Sequence, residues 1–356
     1  MKRTLYPILL ALTIVATLLA GCAQPTPVPP TATPVPPTAT PVPPTATPVP
    51  PTPTPEPTPV PASAVILETA SAYFSKGIKL IGADQVYENL NDGDVANDPL
   101  ILDIRKPEDY ALGHIKGAVN IGAAKLFEAE TLAKLPKDKP IVIYCYTGQT
   151  SGQVVAALNM LGYDAYSLKF GMPSWALVEG VSAGPWKDEM SQNYPVDKEP
   201  AQLAEGNYPV PEPLGADVAA AALAYFSKGI KLIGADQVYE NLNDGDAAND
   251  PLILDIRKPE DYALGHIKGA VNIGAGAIFT PETLAKMDPK RPVVVYCYTG
   301  QASGQVVAAL NMLGYDAYSL KFGMPSWALV EGVSAGPWKN EMSQNYPVDM
   351  EPHQLP

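Results

Sequence analysis

The stretch Pro140-Ile141-Val142-Ile143-Tyr144-Cys145-Tyr146-Thr147-Gly148-Gln149-Thr150-Ser151, followed by a helical run to Leu161, decides how this chain is read. Four apolar residues in a row predict a buried strand. A short polar loop opens at Cys145, and residues 151–161 carry apolar side chains at helical spacing before Gly162, a good C-terminal cap. Strand, loop and helix thus follow one another directly, with a cysteine as the first residue of the loop. The arrangement recurs as Cys297-Tyr298-Thr299-Gly300-Gln301-Ala302-Ser303.

Working outward, one offset, the 152 residues from Cys145 to Cys297, superposes long parts of the chain on themselves. It brings Tyr73–Asp94 onto Tyr225–Asp246, Ala96–Ala123 onto Ala248–Ala275, and Ser151–Lys187 onto Ser303–Lys339 without a mismatch. The unit is too long for a solenoid repeat and has the size of a small domain, so it is a domain duplication. The expected organisation is a first domain over 64–197, a linker over 198–216, a second domain over 217–350 and a tail over 351–356. Pro200–Leu214, rich in proline, glutamate and alanine, reads as flexible, so the domains are expected to act independently. Each unit alternates short apolar runs (residues 99–103, 140–144 and 165–168) with helical stretches. That pattern predicts an α/β fold, a central parallel sheet with helices on both faces.

The N-terminus has a different character. Lys2 and Arg3 precede an apolar run from Leu5 to Ala20, the pattern of an export signal rather than a membrane span. The sequence Leu19-Ala20-Gly21-Cys22 resembles the lipobox of bacterial lipoproteins. That resemblance implies a signal peptide over 1–21, lipidation of Cys22, and a protein anchored to the outer face of a bacterial membrane. An ordinary secreted protein is the alternative. Residues 22–63 are expected to form a disordered linker, in which Pro25–Pro61 repeats a proline-threonine motif that has nothing to bury and reads as a stiff spacer of at most about 110 Å in polyproline II geometry.

The 356 residues are 46% hydrophobic, enough for two globular domains, and the 40 prolines mark the part that cannot pack. A formal net charge of −13 argues against nucleic acid as a partner, because that affinity comes from lysine and arginine displacing counterions. The chain has three cysteines, and one per domain cannot form an internal bridge. A buried, inert thiol is the bland reading of each. The loop composition favours another: backbone N–H groups in a tight polar loop at a helix N-terminus stabilise negative charge, so a thiol there is expected to ionise more readily than the usual value of about 8.5.

The segment Leu102-Asp103-Ile104-Arg105-Lys106-Pro107-Glu108-Asp109-Tyr110-Ala111-Leu112-Gly113-His114-Ile115-Lys116-Gly117-Ala118-Val119-Asn120, the cysteine loop, and the downstream Leu161-Gly162-Tyr163 and Leu168-Lys169-Phe170-Gly171-Met172-Pro173-Ser174-Trp175 together resemble the rhodanese family. The resemblance spans nearly all of both units. It implies tandem rhodanese-like domains with catalytic Cys145 and Cys297 and a persulfide-binding loop of Tyr146, Thr147, Gly148, Gln149, Thr150 and Ser151, or Tyr298, Thr299, Gly300, Gln301, Ala302 and Ser303. The implied activity is sulfur transfer from thiosulfate, polysulfide or a persulfide to a thiol or other thiophilic acceptor, with no cofactor and no metal. The rival is a non-catalytic sulfur carrier or a module binding an anion or a partner.

Neither loop contains the lysine or arginine that many single-domain members carry, so thiosulfate is not favoured over other donors. Ser151 and Ser303 stand where phosphatase relatives place an arginine, which argues against phosphate chemistry. Lys169 and Lys321, after the next strand, are candidates for the missing charge. Thr150, replaced by Ala302 in the second copy, is a candidate source of unequal activity. Asp103, Arg105 and Glu108 are expected to form a structural ion pair rather than a catalytic group, His114 and His266 to satisfy backbone groups, and Tyr146, Phe170 and Trp175 to line the pocket rim.

Overall fold

The computed structural model describes residues 60–355. The export signal, Cys22 and most of the proline-threonine spacer lie outside them. Each repeat builds a five-stranded parallel sheet. The first contains β1 (Leu80–Ile81), β2 (Leu100–Asp103), β3 (Val119–Asn120), β4 (Ile141–Tyr144) and β5 (Ala165–Leu168), in the order β1-β5-β4-β2-β3. The second repeats that order with β6 (Leu232–Ile233), β7 (Leu252–Asp255), β8 (Val271–Asn272), β9 (Val293–Tyr296) and β10 (Ala317–Leu320). The three strands expected from apolar runs are all present, and Pro99 and Pro140 lie just before β2 and β4.

Alternation along the strands sends side chains to two different cores. In β4, Val142 and Tyr144 join Ile101, Leu168, Met172 and Trp175 in a core of first-repeat residues that Tyr346 of the second repeat covers. Ile141 and Ile143 face the other way, into a core that also contains Val293, Val295, Val306 and Leu310 of the second repeat. The helices Gln149–Met160 and Gln301–Met312, which follow the two cysteine loops, pack against each other inside this shared core. Both are buried nearly all round, which explains why their sequences are apolar beyond a single stripe.

The N-terminal helices cross between the repeats as well. Phe74, at the end of the Ala62–Phe74 helix, stacks on Phe279 at 4.5 Å, and Phe226 of the second repeat stacks on Phe127 at 4.7 Å. The Tyr73 hydroxyl donates to Gln305 Oε1, while that of Tyr225 donates to Gln153 Oε1 at 2.6 Å.

The expectation of a flexible linker is not met. Ala201 bridges to Val271, the Tyr208 N–H donates to the Ala285 carbonyl at 2.8 Å, and the Leu214 N–H donates to that of Met312 at 3.2 Å. Composition predicts flexibility only when no neighbour offers partners, and here the second repeat supplies them. The segments ending each repeat also trade places: residues 192–199 dock on the second repeat, and residues 344–351 on the first.

Candidate functional site

Parallel β4 and β5 end side by side, and the loop after β4 brings the sulfur of Cys145 over the start of the helix that follows. Gly148, with φ of +81°, turns the chain into that helix. Cys145 is only 2% exposed, and its Sγ accepts from the Gly148 N–H at 3.2 Å and from the N–H and hydroxyl of Ser151, each at 3.5 Å. Around Cys297 the same three contacts, from Gly300 and Ser303, measure 3.2, 3.5 and 3.4 Å. Such donors stabilise negative charge on sulfur, and a site closed to water makes them more effective.

Ser167, a polar residue in an otherwise apolar strand, supports this cradle from below. Its hydroxyl lies 2.8 Å from that of Ser151 and donates to the Gly148 carbonyl at 3.3 Å. Ser319 repeats the arrangement. Sequence reasoning passed over both serines, although a fully buried hydroxyl among strand residues was a legible signal.

The loop is pinned at its outer side by Tyr146. The Tyr146 hydroxyl donates to Asp109 and accepts from the Lys106 N–H at 3.0 Å. Burial disfavours a charged Asp109, yet hydrogen bonds from Ser182 and Tyr146 outweigh it and hold the carboxyl below the usual range. Burial, and then the carboxylate it bonds, push the Tyr146 hydroxyl up. Tyr298, Asp261 and Ser334 form the copy.

Asp103 and Arg105 form the expected ion pair. Arg105 is 3% exposed, its Nε lies 3.1 and 3.0 Å from the two carboxylate oxygens, and its second nitrogen reaches Asp103 at 2.7 Å and the Gly113 carbonyl at 2.8 Å. Glu108 takes no part and is exposed. His114 and His266 do satisfy backbone groups. The ring nitrogens of His114 lie 2.9 Å from the Tyr110 carbonyl and 3.0 Å from that of Glu351. His353 and Asp349 approach His114, but because both His114 nitrogens are engaged by carbonyls, the trio is a fastening for the tail.

Two candidates move away from the sulfur. Lys169 and Lys321 are exposed, each with Nζ 5.5 Å from the ring of the following phenylalanine, and neither donates to the loops. Thr150 makes no side-chain hydrogen bond among the described residues, so the two cradles are alike despite Ala302. Of the expected rim aromatics, Tyr146 stays at the loop, whereas Trp175 belongs to the core on the other face of the first sheet. Phe170 lies with Thr147, Trp186, Phe322 and Trp338 around a narrow slot lined by both repeats. A second small cavity beside each loop, of about 50 Å³, is walled largely by apolar residues, including Met172, Pro173, Leu177 and Val181 in the first repeat.

A parallel α/β sheet that delivers a cysteine into a cradle of N–H and hydroxyl donors at a helix start, twice in one chain, defines a class of protein organised around a buried cysteine loop. Comparison with known proteins gives that class its family. Rhodanese-like domain sequences match at residues 82–177 and 234–329, more than half of the chain, and the protein belongs to the rhodanese-like family. The thiosulfate sulfurtransferase GlpE of Pseudomonas paraeruginosa is 37% identical over 83 residues, which is 23% of this chain and 74% of GlpE. The probable adenylyltransferase/sulfurtransferase MoeZ of Mycobacterium tuberculosis is 39% identical over 77 residues, 21% of this chain, and the match spans only 20% of the length of MoeZ. Among solved structures, a rhodanese-like domain protein from Staphylococcus aureus is similar over 29% of this chain and 94% of its own, at 29% identity and a TM-score of 0.25.

Proposed function

We propose that the protein is a sulfurtransferase in which Cys145 and Cys297 each carry a sulfane sulfur, and that it works on the outer face of a bacterial membrane, anchored through Cys22. The observation that carries the reading is the cradle itself, three donors on one sulfur, present twice. The Cys145 thiolate attacks the outer sulfur of a donor, forming the Sγ–S bond as the donor's own S–S bond breaks and its remaining thiolate leaves with the electron pair. A thiol acceptor, as thiolate, then attacks the outer sulfur. The new bond forms to the acceptor, the Sγ–S bond breaks, and the enzyme thiolate is restored.

The loops contain no lysine or arginine, the adjacent cavity is mainly apolar and its one cation, Arg105, is paired with Asp103, so an organic persulfide suits the site better than a doubly charged donor such as thiosulfate. Intact-mass measurement tests this directly. Incubation with an organic persulfide should add two sulfur atoms to the wild type, one to Cys145→Ser or Cys297→Ser, and none to the double variant. No adduct with persulfide, polysulfide or thiosulfate on folded wild type would refute the proposal. For the anchor, Cys22→Ser should leave an unprocessed precursor, and a normally processed soluble form would refute lipidation.

A further inference from the structure

Gln149 and Gln301, each the first residue of the helix after its cysteine loop, are 2% and 1% exposed and reach across to the other repeat. Gln149 Nε2 donates to Thr147 Oγ1 in its own loop at 2.9 Å, while its Oε1 accepts the N–H of Phe322 at 2.8 Å. Reciprocally, Gln301 donates to Thr299 at 3.0 Å and accepts the N–H of Phe170 at 2.8 Å. Neither glutamine side chain donates to the sulfur of its own repeat.

The receiving turns matter because they press on the cysteine loops. Phe170 and Phe322 have φ of +65° and +64°, a left-handed conformation that a phenylalanine adopts only when its surroundings impose it. The next residue is Gly171 or Gly323, where a Cβ would fall 2.3 Å from the carbonyl oxygen of Cys145 or Cys297. The N–H of Met172 and that of Met324 then donate to those same carbonyls at 2.9 Å. A bond that fixes Phe322 therefore fixes the turn supporting the Cys297 loop. Contact is direct on the return side too: a Cβ at Gly148, in the Cys145 loop, would fall 2.5 Å from Gln301 Oε1.

We infer that Gln149 and Gln301 are reciprocal positioning residues, each holding the cysteine loop of the opposite repeat, so that the tandem pair is the functional unit and the two sulfurs do not react independently. The inference rests on the reading of both cysteines as reactive, so its test reads thiol reactivity apart from sulfur transfer.

Full-length protein is alkylated with iodoacetamide at fixed pH, and the rates at Cys145 and Cys297 are followed separately by peptide mass spectrometry. Gln149→Met, which removes the acceptor and keeps the bulk, should change the rate at the distant Cys297 by about three- to tenfold, the range expected for one buried hydrogen bond. Gln301→Met, the reciprocal change, should shift the rate at the distant Cys145 by a similar factor. Cooperative thermal unfolding verifies that each variant is folded. An unchanged Cys297 in folded Gln149→Met overturns the inference, and so does an unchanged Cys145 in folded Gln301→Met. If one variant does not fold, the other decides by the same criterion. Wild type that alkylates as described but accepts no sulfur from any donor would defeat the proposed function and leave the cross-brace standing.

Discussion

The indole Nε1 of Trp175 donates at 2.9 Å to the carbonyl of Pro347, 172 residues further along the chain. Tyr346 stacks on Tyr87 at 3.9 Å beside it, and the same pairings join Trp327 to Pro195 and Tyr194 to Tyr239. Each repeat is thus finished by the chain that ends the other. Removing residues 344–356 should destabilise the first repeat by about 3 kcal/mol, from one stacked pair and several hydrogen bonds. Hydrogen exchange should quicken over residues 83–91 and 172–175 and much less over 235–243 and 324–327. Equal change in both repeats would show that the strap acts on the shared core instead.

The strap should also respond to acid. Asp349 accepts from the Glu351 N–H, from His353 and from the Met350 N–H, and is held at about 2 against an ordinary 3.8, the Glu351 contact contributing most. A carboxyl depressed in the folded state stabilises fully above its unfolded value and loses that contribution as pH falls through its folded value. Strap exchange should therefore accelerate, relative to the core, between about pH 4 and pH 2. Asp349→Asn should abolish that step, and a step of unchanged size would assign it to another carboxyl.

Arg105→Ala leaves the fully buried Asp103 carboxylate without its partner, so a loss of about 3–5 kcal/mol in urea unfolding is expected. Glu108→Ala, three residues away and exposed, should cost no more than about 0.5 kcal/mol. Comparable losses would mean that the family motif acts as one network, not as a pair with a bystander.

Tyr163 and Tyr315 occupy equivalent positions with opposite expectations. The Tyr163 hydroxyl donates to the Leu132 carbonyl at 2.8 Å, whereas that of Tyr315 is buried without a hydrogen-bond partner among the described residues, and burial pushes it up to about 12. Tyr163→Phe should cost about 1 kcal/mol, and Tyr315→Phe should be neutral or stabilising by a similar amount. A matched loss in both would require a partner for Tyr315 that the fold does not show.

Much of the repeat was legible in the sequence. The near-identical duplication is plain from self-alignment, and the apolar runs before Cys145 and Cys297 and the helical spacing after each loop are local patterns, which local sterics and burial are enough to specify. So are the Asp103–Arg105 pair, whose members stand two residues apart, and the backbone role of His114. The sequence by itself therefore determined two parallel-sheet domains, each with a cysteine at the mouth of a polar loop.

What it did not determine is how the repeats complete one another. The exposure of Lys169, the silence of Thr150, the ordered path of residues 200–214, the crossing straps and the hand-over of Gln149 to Phe322 all depend on partners more than a hundred residues away or on a packed neighbour. Two nearly identical sequences also offer each strap two equivalent docking faces, its own repeat's and the other's. Only the tertiary structure, where chain length and the shared helical core fix which face is within reach, decides that each strap closes the opposite repeat.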